Sequence, residues 1–137
     1  MPTPKNILID LNIILDLVLN RPGGASAEDL LEPYVGYPER LFMSAHSITT
    51  FAYLLGRAGQ SHHEVLSQVD WLLKRCSVVG LHAKHFTAAL ASHMKDYEDA
   101  VVEQAALACG AEAIITRNLK DFTHSQVPVY SPEQYLA

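Results

Sequence analysis

Cysteine is scarce in this chain of 137 residues: only Cys76 and Cys109 are present, in neither a CxxC nor a zinc-type Cys/His spacing. A structural zinc knot or a dithiol redox centre is therefore excluded, and both thiols are expected to be packed or spare in a reducing cytosol. The seven histidines form no HExxH or other ligand spacing either. Basic excess is missing as well. Ten Lys and Arg against fifteen Asp and Glu leave a net charge of -5, which gives no overall pull toward nucleic acid or acidic lipid. A polyanionic partner would have to be held by a local basic patch or through bound cations. No run of aromatics interleaved with Arg supports sequence-selective RNA readout. The one apolar stretch that raises the question of a membrane, "ILIDLNIILDLVL", carries Asp10, Asn12 and Asp16 and is too short to span a bilayer. With no secretory signal evident, the expectation is a soluble, cytoplasmic protein with no membrane partner.

What is present describes a globular chain. Hydrophobic residues make up 49% and charged residues 18%, and the length suffices to bury a real core. No internal repeat, low-complexity tract or linker divides it, so residues 1–137 are expected to form a single domain. Short apolar runs suited to buried parallel strands occur at "NILID", Leu41 to Ser44, "SVVGL", "EAIIT" and "VPVY". Helical periodicity fills the intervals. "LNIILDLVLN" is stopped by Arg21-Pro22-Gly23-Gly24, and Ser26 is positioned to cap "AEDLLEPYV". Ser47 or Thr49 is expected to cap the next helix, which Gly59 stops, and Ser61 to cap "HEVLSQVDWLLKRC". "KHFTAALASHMK" and "DAVVEQAALACG" follow, the latter closed by Gly110. Strands alternating with helices predict an α/β fold, a three-layer α/β/α sandwich around a central, mainly parallel sheet.

Ligands of open parallel sheets bind beyond the carboxyl ends of the strands. Polar residues gather there in this sequence. Asp10 closes the first strand, Ser44, Ser47, Thr49 and Thr50 follow the second, and Thr116, Asn118 and Asp121 follow "EAII". Asp99 opens the helix that feeds that last strand. Acids in a first helical turn favour the helix dipole by ~0.3–1 kcal/mol, which by itself accounts for Asp96, Glu98 and Asp99. An acid ending an apolar strand is costly to bury without a partner, so Asp10 points to a function. Asp121 alone serves equally well as a turn residue before Phe122. Carboxylates gathered in one place resist ionising together unless a cation relieves them, and Mg²⁺ or Mn²⁺ does so through oxygen ligands. Asp16 is expected to be solvated or paired with Arg21, and His46, near the same edge, to be a solvated or core side chain, with contact to substrate as the lesser alternative.

"NILIDLNIILDLVLNR", "DYEDAVVEQAALACGAEAIITRNLKDF" and "VPVYSPEQYL" resemble the PIN-domain family, which includes the VapC-type toxins of toxin–antitoxin pairs; the resemblance runs from about Lys5 to Leu136. It implies a metal-dependent ribonuclease with RNA as substrate, a site of clustered acids holding Mg²⁺ or Mn²⁺, an antitoxin partner and a homodimer. Residue by residue, it implies Asp10, Asp99 and Asp121 as metal ligands, with Asn118 as the alternative last ligand and Thr116 as the hydroxyl before it. Many members carry a Glu on the helix after the second strand; here that stretch, "SITTFAYLL", holds Ala52 and Tyr53, and Ser47, Thr49 or Glu98 would have to substitute. Arg117 and Lys120 flank the site as phosphate contacts, with Arg57 and Arg21 behind them. Two other classes compete. A PIN-like domain weakened by the missing Glu would bind RNA or a protein without cutting. An aspartyl-phosphate phosphatase would use Asp10 as nucleophile, though that chemistry wants a second Asp where Asn12 stands.

Overall fold

The computed structural model describes residues 2–137. Five strands, β1 (Ile7–Ile9), β2 (Leu41–Ser44), β3 (Ser77–Val79), β4 (Ala113–Ile115) and β5 (Val129–Tyr130), form one sheet in the order β3-β2-β1-β4-β5. Every pairing is parallel. The central strand β1 is buried at all three residues, as a strand covered on both faces must be. Its side chains alternate between two cores. Ile7 and Ile9 join the packing of α1 (Leu11–Val18), α2 (Gly24–Leu31), α3 (Ala45–Arg57) and α4 (His62–Arg75), while Leu8 and Ile114 pack against α6 (Tyr97–Cys109). The helix α5 (Ala83–Leu90) lies against α6 through Ala89, Ala100 and Val101. A terminal helix, α7 (Pro132–Leu136), sends Tyr135 back to the first core. The result is the α/β/α sandwich that the alternating pattern predicts, with a wholly parallel sheet.

Local chemistry sets the helix ends, and several differ from the sequence expectation. Ser61 and Glu64 form a reciprocal capping box on α4, with bonds of 3.1 and 2.9 Å. Gly110 closes α6 in the left-handed region at φ 67°, where only glycine is free of strain. Ser26, by contrast, is no cap. It lies inside α2 and donates to Glu133 at 2.8 Å. The cap position of α3 is Ser44; Ser47 is buried within the helix, and Thr49 and Thr50 bond back to the His46 carbonyl. The helix expected to reach Lys95 ends at Leu90, because Ser92 Oγ competes for the chain by bonding Met94 N–H and Glu103. Asp96, not Asp99, starts α6: its carboxylate accepts the N–H groups of Glu98 and Asp99.

Candidate active site

The sheet register delivers the site. Leu8 pairs with Phe42 and Ile9 with Ile115, so the chain leaves the three inner strands side by side at Asp10, Ser44 and Thr116. From β1 the chain runs to β2 on one side, and β4 lies on the other. A reversal of this kind leaves a crevice at the carboxyl edge, where open α/β sheets take their ligands. Asp10 stands at that point, 7% exposed. Its backbone N–H donates to the Ile115 carbonyl at 2.9 Å, and its Oδ2 accepts the Thr116 hydroxyl at 2.8 Å. Thr116 is fully buried, and the same hydroxyl oxygen accepts the Asn118 N–H at 3.0 Å. Burial pushes the Asp10 carboxyl above the usual carboxylate range, against the hydrogen bonds from Thr116, Leu11 and Asn12; Glu98 adds to the rise.

Asp99 faces the same edge from the first turn of α6, half-buried. Burial, then the charges of Asp10, Asp96, Asp121 and Glu98, push it up to about 7. Five acids thus share one field, in which the carboxyls of Asp10 and Asp99 are both raised. Oxygen donors under this repulsion suit a hard divalent cation. Among the described residues, however, no three His, Cys, Asp or Glu side chains converge closely enough to cage an ion. Such oxygen donors differ from the Cys and His set of a closed tetrahedral zinc site.

A PIN-domain family model matches residues 6–120. The chain belongs to the PIN-domain family. No curated protein matches it by sequence. Solved structures share the PIN fold. The VapBC2 complex of Rickettsia felis, bound to a promoter DNA fragment, is 16% identical at a TM-score of 0.71, covering 91% of this chain and 96% of that one. A toxin–antitoxin complex from Klebsiella pneumoniae is 24% identical, with a TM-score of 0.67 and coverage of 93% and 98%. VapC20 of Mycobacterium tuberculosis, described as a sarcin-ricin loop cleaving toxin, is 16% identical, with a TM-score of 0.68 and coverage of 90% and 99%. At these identities the likeness is one of fold.

Set on the PIN fold, the remaining sequence-predicted residues separate. Asn118 and Lys120 are exposed, and Asp121 is half-buried in a 3-10 turn, Leu119–Phe122, anchored by Phe122 in the core. Glu98 is exposed at the start of α6. Arg117 is not free for phosphate. Its Nε donates to Asp16 Oδ2 at 2.8 Å, Nη1 to Glu133 at 3.0 Å and Nη2 to the Gly23 carbonyl at 3.1 Å. Asp16 is buried rather than solvated; the expected pair with Arg21 is present at 3.9 Å, and Arg117 is the nearer partner at 2.8 Å. Tyr53 is exposed and pairs with Arg57 at 3.1 Å, so the stretch that carries a Glu in many PIN domains brings no carboxylate to the edge. Two participants escape a purely local inspection. Asp16 meets Arg117 across 101 positions of sequence. The second is His46, whose Nδ1 lies 2.7 Å from Ser44 Oγ and which feels the charge of Asp10. A histidine two residues past a strand-end serine was the only signal for it.

Proposed function

We propose that this protein is a divalent-cation-dependent endoribonuclease of the VapC type, the toxin of a toxin–antitoxin pair, acting in the cytoplasm with an antitoxin protein as partner and as a homodimer. Membership of the PIN-domain family and the likeness of fold to toxins solved with their antitoxins support the reading. The observation that carries it is the carboxylate cluster at the sheet edge, in which Asp99 is pushed up to about 7 by burial and by its acidic neighbours.

In this reading Asp10 and Asp99 hold Mg²⁺ or Mn²⁺, with Asp121 or Asn118 as the further ligand. Such an ion, when bound, offsets charge on a scissile phosphate and lowers the pKa of water. Thr116 orients Asp10 through the 2.8 Å hydrogen bond and is the reason a buried acid can stay in place. Glu98 stands in for the missing Glu at the rim. Lys120, exposed beside Asp121, meets an RNA phosphate, whereas Arg117 holds the loop that carries both. The test is cleavage of an RNA pool by purified protein with Mn²⁺. Asp99→Asn and Asp10→Asn should each lower the rate about a hundredfold or more, as expected when charge stabilisation of a phosphoryl group is lost. Wild-type protein that neither cuts nor binds Mn²⁺ would overturn the proposal.

A second reading, a module that binds RNA or a protein without cutting, is favoured by Ala52 and Tyr53 at the Glu position and by the lack of a three-ligand cage among the described residues. Equal Mn²⁺ affinity in wild type and Asp99→Asn, with RNA bound and uncut, would select it.

A further inference from the structure

We infer that His46 is a positioning residue for Asp10: Ser44 anchors its Nδ1, and its buried Nε2 serves the Asp10 carboxylate. The inference rests on the reading of Asp10 as a cation ligand, and adds to the site a residue that no acid pattern contains. Register begins the argument. Ser44 ends β2 beside the point where Asp10 ends β1, and His46 is the second residue of α3, directly above that edge. Ser44 is 1% exposed, and its Oγ lies 2.7 Å from His46 Nδ1. With the Ser44 hydroxyl as donor to Nδ1, the imidazole proton sits on Nε2.

That Nε2 is buried and has no hydrogen-bond partner among the described residues. Leaving a buried polar nitrogen unsatisfied is costly, and such groups in native proteins ordinarily have a purpose. Burial lowers the His46 imidazole below its ordinary range, and the charge of Asp10 acts on it in the opposite sense. Asp10 in turn accepts the Thr116 hydroxyl on Oδ2, and Leu11 and Asn12 donate to it from its own chain segment. A carboxylate that ligates a metal is itself held by outer hydrogen bonds, which fix its direction and raise its strength as a ligand. Thr116, just past β4, and His46, just past β2, belong to the strands on opposite sides of β1. The missing helix Glu would have brought charge to this edge; His46 brings a fixed donor instead.

Two measurements test the assignment. In the metal-free protein, nitrogen NMR of His46 should show the proton on Nε2, and the Nε2 resonance should move in Asp10→Asn. Mn²⁺ binding by calorimetry supplies the second. His46→Gln places an amide nitrogen where Nε2 was and should stay within about threefold of wild type, whereas His46→Asn, which mimics only Nδ1, should weaken Mn²⁺ about ten- to a hundredfold. Thermal melts of both variants verify that each is folded. A proton on Nδ1, an Nε2 resonance indifferent to Asp10, or an Asn variant that binds Mn²⁺ like wild type would overturn the inference. If Asp99→Asn loses Mn²⁺ while every His46 variant keeps it, the inference falls and the ribonuclease reading stands. If wild type binds no Mn²⁺, that reading falls, and the metal-free resonance still decides the contact between His46 and Asp10.

Discussion

Asp99 is the residue through which the site should announce itself in solution. Its carboxyl is raised from 3.8 to about 7, so between those values the folded protein holds a proton that the unfolded chain has released. More protons bound in the folded state means stability falls as pH rises. The metal-free protein should therefore lose stability steadily from about pH 4 to about pH 7 and change little above, with Asp10, also raised, acting in the same direction. Asp99→Asn should flatten that slope and stabilise the metal-free protein at neutral pH. Denaturant unfolding of both proteins across the range checks it. A slope that persists unchanged in Asp99→Asn would mean that another group carries the repulsion. Asp10 and Asp99 were both legible in the sequence, because an acid at the end of an apolar run or at the start of a helix marks its own place. Their mutual repulsion was not, since it depends on two chain ends 89 positions apart meeting at one edge.

At the level of elements, the loop after β4 is held by the Asp16–Arg117–Glu133 contacts as well as by its own turn. Arg117 ties together α1 through Asp16, the α1–α2 connection through the Gly23 carbonyl, and α7 through Glu133. The approach leaves no room at Gly23, where a β-carbon would lie 2.4 Å from Asp16 Oδ2 and 2.5 Å from Arg117 Nε. The backbone there, at φ -81°, suits any residue, so the need for glycine is one of space alone. Gly23→Ala should cost about 1–3 kcal/mol through overpacking, and the Asp16–Arg117 contact should open with it. Chemical unfolding measures the cost. A neutral result would show that the guanidinium can step aside without loss. The Pro-Gly-Gly stop after the first helix was readable as a breaker, but its partner across the sheet was not.

The whole molecule links fold and cation through mass action. An ion that binds only the folded cluster stabilises it by RT ln(1 + [L]/Kd), about 2.7 kcal/mol at a hundredfold excess over Kd. Thermal melts should accordingly rise with Mn²⁺ concentration in wild type and stay flat in Asp10→Asn. A wild-type melting point indifferent to millimolar Mn²⁺ would count against the cation. Among the described residues no helix is long and apolar enough to cross a membrane, in agreement with the interrupted apolar run at the start of the chain.

Sequence alone determined the layer architecture and which acids follow a strand or open a helix. Short apolar runs, forming strands of two to four residues separated by helical periodicity, admit little besides a parallel sheet covered on both faces. Polar residues that end such runs must then fall at one edge. Tertiary structure alone decided which of them meet. The strand order β3-β2-β1-β4-β5 places Thr116 beside Asp10, and the packing turns Arg117 away from solvent and leaves the Nε2 of His46 buried without a partner among the described residues. Side-chain type and local period are properties of neighbours along the chain. Register across strands, the partner of an ion pair and the cost of an unsatisfied nitrogen are properties of neighbours in space, and they exist only once the chain has folded.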